Sequence, residues 1–120
     1  KFIEDTIIIK LFDIAIKMIR SKKMKEIWRP IKKEKIYYEI SNLGRVRDIE
    51  SKKILKPIKS NFGYLCVYLN KERKLYGVHR LVCEAFIDGF NKTSLIHHIN
   101  GNKIDNRLDN LKIYNNEKVI

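Results

Sequence analysis

The chain has 120 residues, with 26 Lys or Arg against 14 Asp or Glu, a formal net charge of +12. That length gives about one domain with a modest core, and an apolar content of 44% excludes a disordered composition. A basic excess of this size favours a polyanionic partner through counterion release, against the plainer alternative of a Lys-rich surface with no partner.

The excess is uneven. Residues 1–60 hold 17 basic and 8 acidic residues, net +9, and residues 61–120 hold 9 and 6, net +3. Cys66 and Cys83 are the only cysteines and form no CxxC pair. A zinc or redox motif is therefore disfavoured, and buried free thiols in a reducing compartment are expected. No segment reaches about 18 uninterrupted apolar residues, so no transmembrane helix is predicted. Charges at Glu4, Asp5, Lys10, Asp13 and Lys17 break the apolar N-terminal stretch, which also lacks a signal-peptide cleavage pattern.

Residues 2–20 read as an amphipathic helix, with Ile3, Ile7, Leu11, Ile14 and Met18 recurring every three or four positions. Packing on the domain or on a partner is the expected use of that stripe, with a membrane surface as the alternative. "SKKMKE" (21–26) is a polar link, and Met24 opens a more compact-looking unit, so the helix reads as an extension. Trp28 is expected to anchor the start of the domain in the core.

From 36 to 78 the period changes to short strands in "KIYYEI", "RVRDI", "ILKPI", "NFGYLCVYL" and "KLYGVH". Asn42 and Gly44, then Asn61–Gly63, supply the turns, and Pro57 suits an edge or strand end. The order predicts an antiparallel meander, not alternating βα units. In "RVRDI" one face can be buried while Arg45 and Arg47 share the other, where they can meet phosphates or base edges. Lys52, Lys53, Lys56 and Lys59 are generic phosphate candidates. Tyr64 and Tyr68 alternate on one face, a spacing that suits the core more often than base stacking.

Residues 79–87 return to helical spacing through Leu81, Val82, Ala85 and Phe86. His79 and Arg80 open this helix, where a phosphate contact competes with a structural hydrogen bond. "LIHHI" then reads as a short strand, "NGNKIDN" as a turn-rich loop, and "RLDNLKIYN" as a further apolar segment. His97 and His98 stand side by side in that strand. Histidine is both a metal ligand and a general base near neutral pH, so one could hold a metal while the other deprotonates water. Taken alone, an adjacent pair is more often a surface or structural feature. Asp109 is expected to cap or orient a local turn.

The spaced elements "VHRLVCEAFI" and "IHHINGNKIDNRLDNL" closely resemble the HNH endonuclease family, in the branch of phage and intron-borne homing enzymes, over about residues 78–114. Upstream, "EIWRPI", "YYEISNLGRVRD", "ILKPI" and "GYLCVYL" resemble the modular NUMOD-type DNA-binding motif that often precedes such nucleases. The resemblance implies an α+β fold, a small antiparallel β meander with helices ending in a ββα-metal motif. It implies a DNA-binding region over 24–78 and a nuclease region over 79–120, and the amphipathic helical extension over 1–23 lies outside it. By position His97 matches the family's metal ligand, His98 its general base, and Asn110 the asparagine that braces the loop and the active histidine. The implied activity is hydrolysis of a DNA phosphodiester with one divalent ion, Mg2+ or Mn2+, leaving a 5′ phosphate and a 3′ hydroxyl. Arg45, Arg47, Lys56, His79, Arg80, Lys103 and Arg107 are the implied DNA-binding residues.

The pattern departs from the family at Val119, where a second metal ligand, His or Asn, is expected. Asn115, Asn116 or Glu117 could substitute, as could a residue beyond Ile120. The alternative is a DNA-binding protein of HNH descent with impaired cleavage, and the third reading is a basic interaction protein with no nucleic-acid role. The expected partner is double-stranded DNA, with no membrane, for a monomer inside the cell or nucleoid, with a phage or virus as a candidate source.

Overall fold

The computed structural model describes residues 2–23 and 25–115. Helix α1 runs Phe2–Lys23. Strands β1 (Trp28–Pro30), β2 (Tyr38–Ser41) and β3 (Val46–Asp48) form one antiparallel sheet, and β4 (Ile58–Lys59), β5 (Leu65–Leu69) and β6 (Lys74–Gly77) form a second. Helix α2 (Val78–Phe86) follows directly, and β7 (Leu95–His98) and β8 (Leu111–Tyr114) close as an antiparallel hairpin. A single turn of 3-10 helix, Leu108–Asn110, leads into β8. The antiparallel meander predicted from the sequence is therefore present, divided into two sheets.

Strand alternation sets the faces. Val67 and Leu69 of β5 are buried, whereas Tyr68 between them is 49% exposed. Ile40 of β2 and its partner Val46 of β3 are both buried, leaving Arg45 and Arg47 on the opposite face. Two turns need glycine-like backbones. Gly44 adopts φ +82° and Gly63 φ +89°, both in the left-handed region that other residues resist.

Helix α2 turns Val78, Leu81, Val82 and Cys83 inward, at the i, i+3, i+4 spacing of a single face. These meet Ile31, Tyr38, Ile40, Val46, Val67, Leu69 and Leu111 in one core cluster drawn from all three sheets. The helix stops at Ile87, whose N–H still reaches Cys83 O, and the chain then turns through Gly89 at φ +84°. Cys83 is buried and its thiol is pushed up to about 11 by that burial. Both cysteines are free.

Two expectations about apolar residues change. Trp28 does not join the core; it is half-buried and its ring carries the guanidinium of Arg47 at 3.8 Å and that of Arg45 at 5.5 Å. The stripe on α1 is not packed on the domain: Ile7, Leu11, Ile14 and Met18 are each more than half exposed. Ile8, Ile9 and Phe12 are exposed as well, so the helix is apolar on several sides and not along one seam. Among the described residues no helix is long and apolar enough to cross a membrane.

Candidate active site

The β7–β8 hairpin presents the two histidines differently. Its register pairs His97 with Lys112 and His98 with Leu111. Because neighbours on a strand point to opposite faces, His97 is exposed, with its ring edge-on to Tyr114 at 6.5 Å, while His98 turns inward and is 6% exposed.

Around His98 lies a compact polar cluster. Its Nε2 is 2.8 Å from Oδ1 of Asn106. A carboxamide oxygen only accepts, so a hydrogen bond here requires the proton on Nε2. The rings of His79 and Tyr64 stand 5.5 and 6.0 Å from that of His98, and are stacked on each other at 4.8 Å. Two polar atoms here are buried without a hydrogen-bond partner, Nδ1 of His79 and Nδ2 of Asn106. Burial, with the neighbouring His98 and Arg80 adding to it, lowers the His79 pKa to about 4, so this ring is neutral near pH 7.

The loop from 99 to 110 is tied by carboxamides. Asn110, buried at 5% exposure, accepts from the Asn100 N–H through Oδ1. Its Nδ2 donates to Asn100 Oδ1 and to Asp105 O, at 3.0 and 2.8 Å. Its backbone carbonyl accepts from Ile99 N–H at 2.8 Å. Asp105 binds the Arg107 guanidinium through two oxygens, at 2.8 and 2.9 Å, and that pairing first, with Asn100 helping, holds its carboxyl down to about 2. The first sheet supports the same loop. Leu108 N–H donates to Asn42 O at 2.8 Å, and a Cβ added at Gly44 would lie 2.9 Å from Asn106 O.

The residues singled out by sequence therefore separate into groups. His79 and His98 come together. Lys103 joins them from the side, its Nζ 5.0 Å from the Tyr64 ring centroid and donating to Phe62 O at 3.1 Å. Arg80 turns to the loop before β7, donating to Ser94 O and Lys92 O and lying over Phe90. Arg107 is engaged by Asp105. Arg45 is paired with Glu26 and Arg47 with Glu39, on the sheet face that carries Trp28. The Arg45 hydrogen bond holds the Glu26 carboxyl below its ordinary range. Lys56 is exposed just before β4.

Asn115 is committed at both ends of its carboxamide, accepting from the Ser94 hydroxyl and donating to Gly89 O at 3.0 Å. Asn116, Glu117 and Val119 lie outside the described residues. Among the described residues no three His, Cys, Asp or Glu side chains form a group that could hold a metal ion. Sequence reasoning missed Asn106 and gave Tyr64 to the core. Asn102, Asn106 and Asn110 recur four apart, but only the path of the loop decides which carboxamide faces a histidine.

Residues 26–70 match the model of the NUMOD4 motif. An HNH endonuclease of Acanthamoeba polyphaga mimivirus is 42% identical over 77 residues, covering 62% of this chain and 23% of that protein. The DNA endonuclease I-HmuI of Bacillus phage SP01 is 37% identical over 87 residues, covering 71% of this chain and 50% of the phage enzyme. A solved structure of DNA binding and cleavage by the HNH homing endonuclease I-HmuI superimposes with a TM-score of 0.66 at 36% identity, over 73% of this chain and 52% of that one. The chain thus spans about half or less of the length of these relatives. On the motif match, the relatives and the shared α+β fold, the chain is similar to the HNH homing endonucleases, with a NUMOD4 motif ahead of the β7–β8 hairpin.

Proposed function

We propose that the chain is the DNA-cleaving part of an HNH endonuclease and hydrolyses a phosphodiester of double-stranded DNA with one divalent ion, Mg2+ or Mn2+. The observation that carries this reading is the His98 imidazole, its Nε2 proton directed onto Asn106 Oδ1 and its Nδ1 lone pair left as the basic site.

In this reading His98 Nδ1 takes a proton from the attacking water. The positive charge that develops on the ring is met by the oxygen end of the Asn106 carboxamide. His79, neutral because it is buried, adds no second cation beside the forming imidazolium. Lys103 offers a charge for a phosphate oxygen.

The donor set fits a divalent ion held through few protein atoms. His97 offers one exposed imidazole, and phosphate oxygens with water complete the shell. When bound, such an ion supplies charge neutralisation at the phosphate and the leaving oxygen.

Plasmid nicking with added Mg2+ or Mn2+ tests the reading. The wild type should nick and His98→Ala should not, with DNA affinity kept. His97→Ala should raise the metal concentration needed, while His98→Ala should leave metal affinity unchanged; equal loss of metal by both would overturn the roles.

A second reading, a DNA-binding protein with impaired cleavage, is favoured by one observation: His97 is the single ligand candidate left among the described residues once Asn115 is committed. Intact DNA binding with no nicking under any divalent ion would establish it.

A further inference from the structure

We infer that Asn106 is the positioning residue of the nuclease base and that the NUMOD4 region holds it in place, so the motif is part of the catalytic frame as well as a DNA-binding element. This rests on the reading of His98 as the base.

Three observations lead there. First, the side chain in contact with His98 is Asn106, not Asn110. Asn110 directs its carboxamide to Asn100 and Asp105, and so shapes the loop through hydrogen bonds that do not involve the ring. Asn106 fixes one tautomer of His98, because its oxygen can only accept. Its Nδ2 is buried with no hydrogen-bond partner among the described residues, so the oxygen on His98 is the end of this carboxamide that is engaged.

Second, Asn106 is seated on Gly44 in the turn between β2 and β3. A Cβ at Gly44 would meet Asn106 O at 2.9 Å, Asn106 Cβ at 3.0 Å and Asn106 C at 3.1 Å, and φ at Gly44 is +82°. Only glycine allows the turn to come this close. Two residues earlier, Asn42 O accepts from Leu108 N–H, fixing the same loop from the other side of Asn106.

Third, the opposite wall of the site also comes from the motif. Tyr64 stacks on His79 at 4.8 Å and 19°, and both rings flank His98. Gly44 and Tyr64 both fall within residues 26–70, the stretch that matches NUMOD4.

The test uses the full chain and two kinds of readout. Asn106→Leu keeps the bulk and removes the acceptor, and Asn106→Asp keeps the acceptor. Asn106→Leu should lower kcat for plasmid nicking by about 10–100-fold, the usual effect of losing an orienting partner, with KM for DNA within about twofold. Nitrogen NMR of the imidazoles in metal-free protein should show His98 with its proton on Nε2 in the wild type and a tautomer mixture in Asn106→Leu. Asn106→Asp should keep the tautomer and recover most of kcat. Gly44→Ala should lower kcat and move the His98 signals with KM unchanged.

Wild-type His98 with its proton on Nδ1 would overturn the assignment of Asn106, as would an unchanged kcat in folded Asn106→Leu. A lower melting temperature in Gly44→Ala with kcat and the His98 signals untouched would overturn the part given to the motif. Failure of the base reading looks different: His98→Ala would nick at the wild-type rate, while the tautomer shift in Asn106→Leu would still appear.

Discussion

The turn between β2 and β3 and the loop between β7 and β8 are both polar and both carry asparagine, yet different forces hold them. At the first, the Ser41 hydroxyl and the Asn42 carboxamide hold the backbone, and charge orders the exposed face. Arg45 pairs with Glu26 and Arg47 with Glu39, the two guanidiniums lie over Trp28, and the side chain of Arg45 is 50% exposed. At the second, order comes mainly from neutral carboxamides: Asn106 and Asn110 are 4% and 5% exposed and tie the loop through Asn100, Asp105 and His98. The difference is physical. An ion pair at the surface is screened and worth about 0–1 kcal/mol, so it suits a face that solvent or DNA can rearrange. A buried carboxamide gives directional hydrogen bonds without a net charge, so it can brace the surroundings of a phosphate without attracting or repelling it.

Substitutions at each place sharpen that contrast. The largest effect is expected at His98. His98→Ala should reduce nicking by about 10²–10⁴-fold, the usual contribution of a general base, with DNA affinity measured by fluorescence anisotropy unchanged. Asn110→Ala removes three side-chain hydrogen bonds in a buried setting and should cost about 2–4 kcal/mol in urea unfolding. A loss below 1 kcal/mol there would erase the distinction between the loop and the surface turn.

Acid should act on the site through His79. Its folded-state pKa of about 4 lies below the ordinary 6.5, so the unfolded chain takes up a proton first. The associated stability is complete above about pH 6.5 and is lost as pH falls toward 4. Asp105, held to about 2 in the folded chain, adds its loss only below about pH 4. Melting temperatures between pH 7 and 4 should therefore fall more steeply for the wild type than for His79→Gln. The smallest effect belongs to Arg45: Arg45→Ala should change stability by less than about 1 kcal/mol, because its pair with Glu26 is half exposed. Any effect of that substitution on DNA binding should be confined to a shallower dependence of affinity on salt.

Much of this was legible in the sequence because it depends on period and spacing. The β meander, the α2 face of Leu81 and Val82, and the strand carrying His97 and His98 all follow from local patterns. What escaped depends on how distant segments meet. Trp28 reads as a core residue by type, but Arg45, just before β3, and Arg47 within it claim its ring. Tyr64 and Tyr68 share one face of β5 and its approach, yet Tyr64 meets His79 while Tyr68 stays 49% exposed. The partner of His98 lies eight residues away along a loop with no regular structure, where several asparagines are equivalent by sequence alone. The apolar stripe on α1 predicted packing that the described side chains do not make.

Helix α2 carries one more consequence. It is in contact with β1, β2, β5, β6 and β8, and its inward residues Val78, Leu81, Val82 and Cys83 are shared by all three sheets. Among the described residues the buried apolar side chains of the sheets fall in this one cluster. Unfolding of residues 26–114 should therefore be a single cooperative event, with the amides of β2, β5 and β8 exchanging hydrogen together at the global rate. A β7–β8 hairpin built this way cannot melt on its own while the strands of residues 26–70 stay folded.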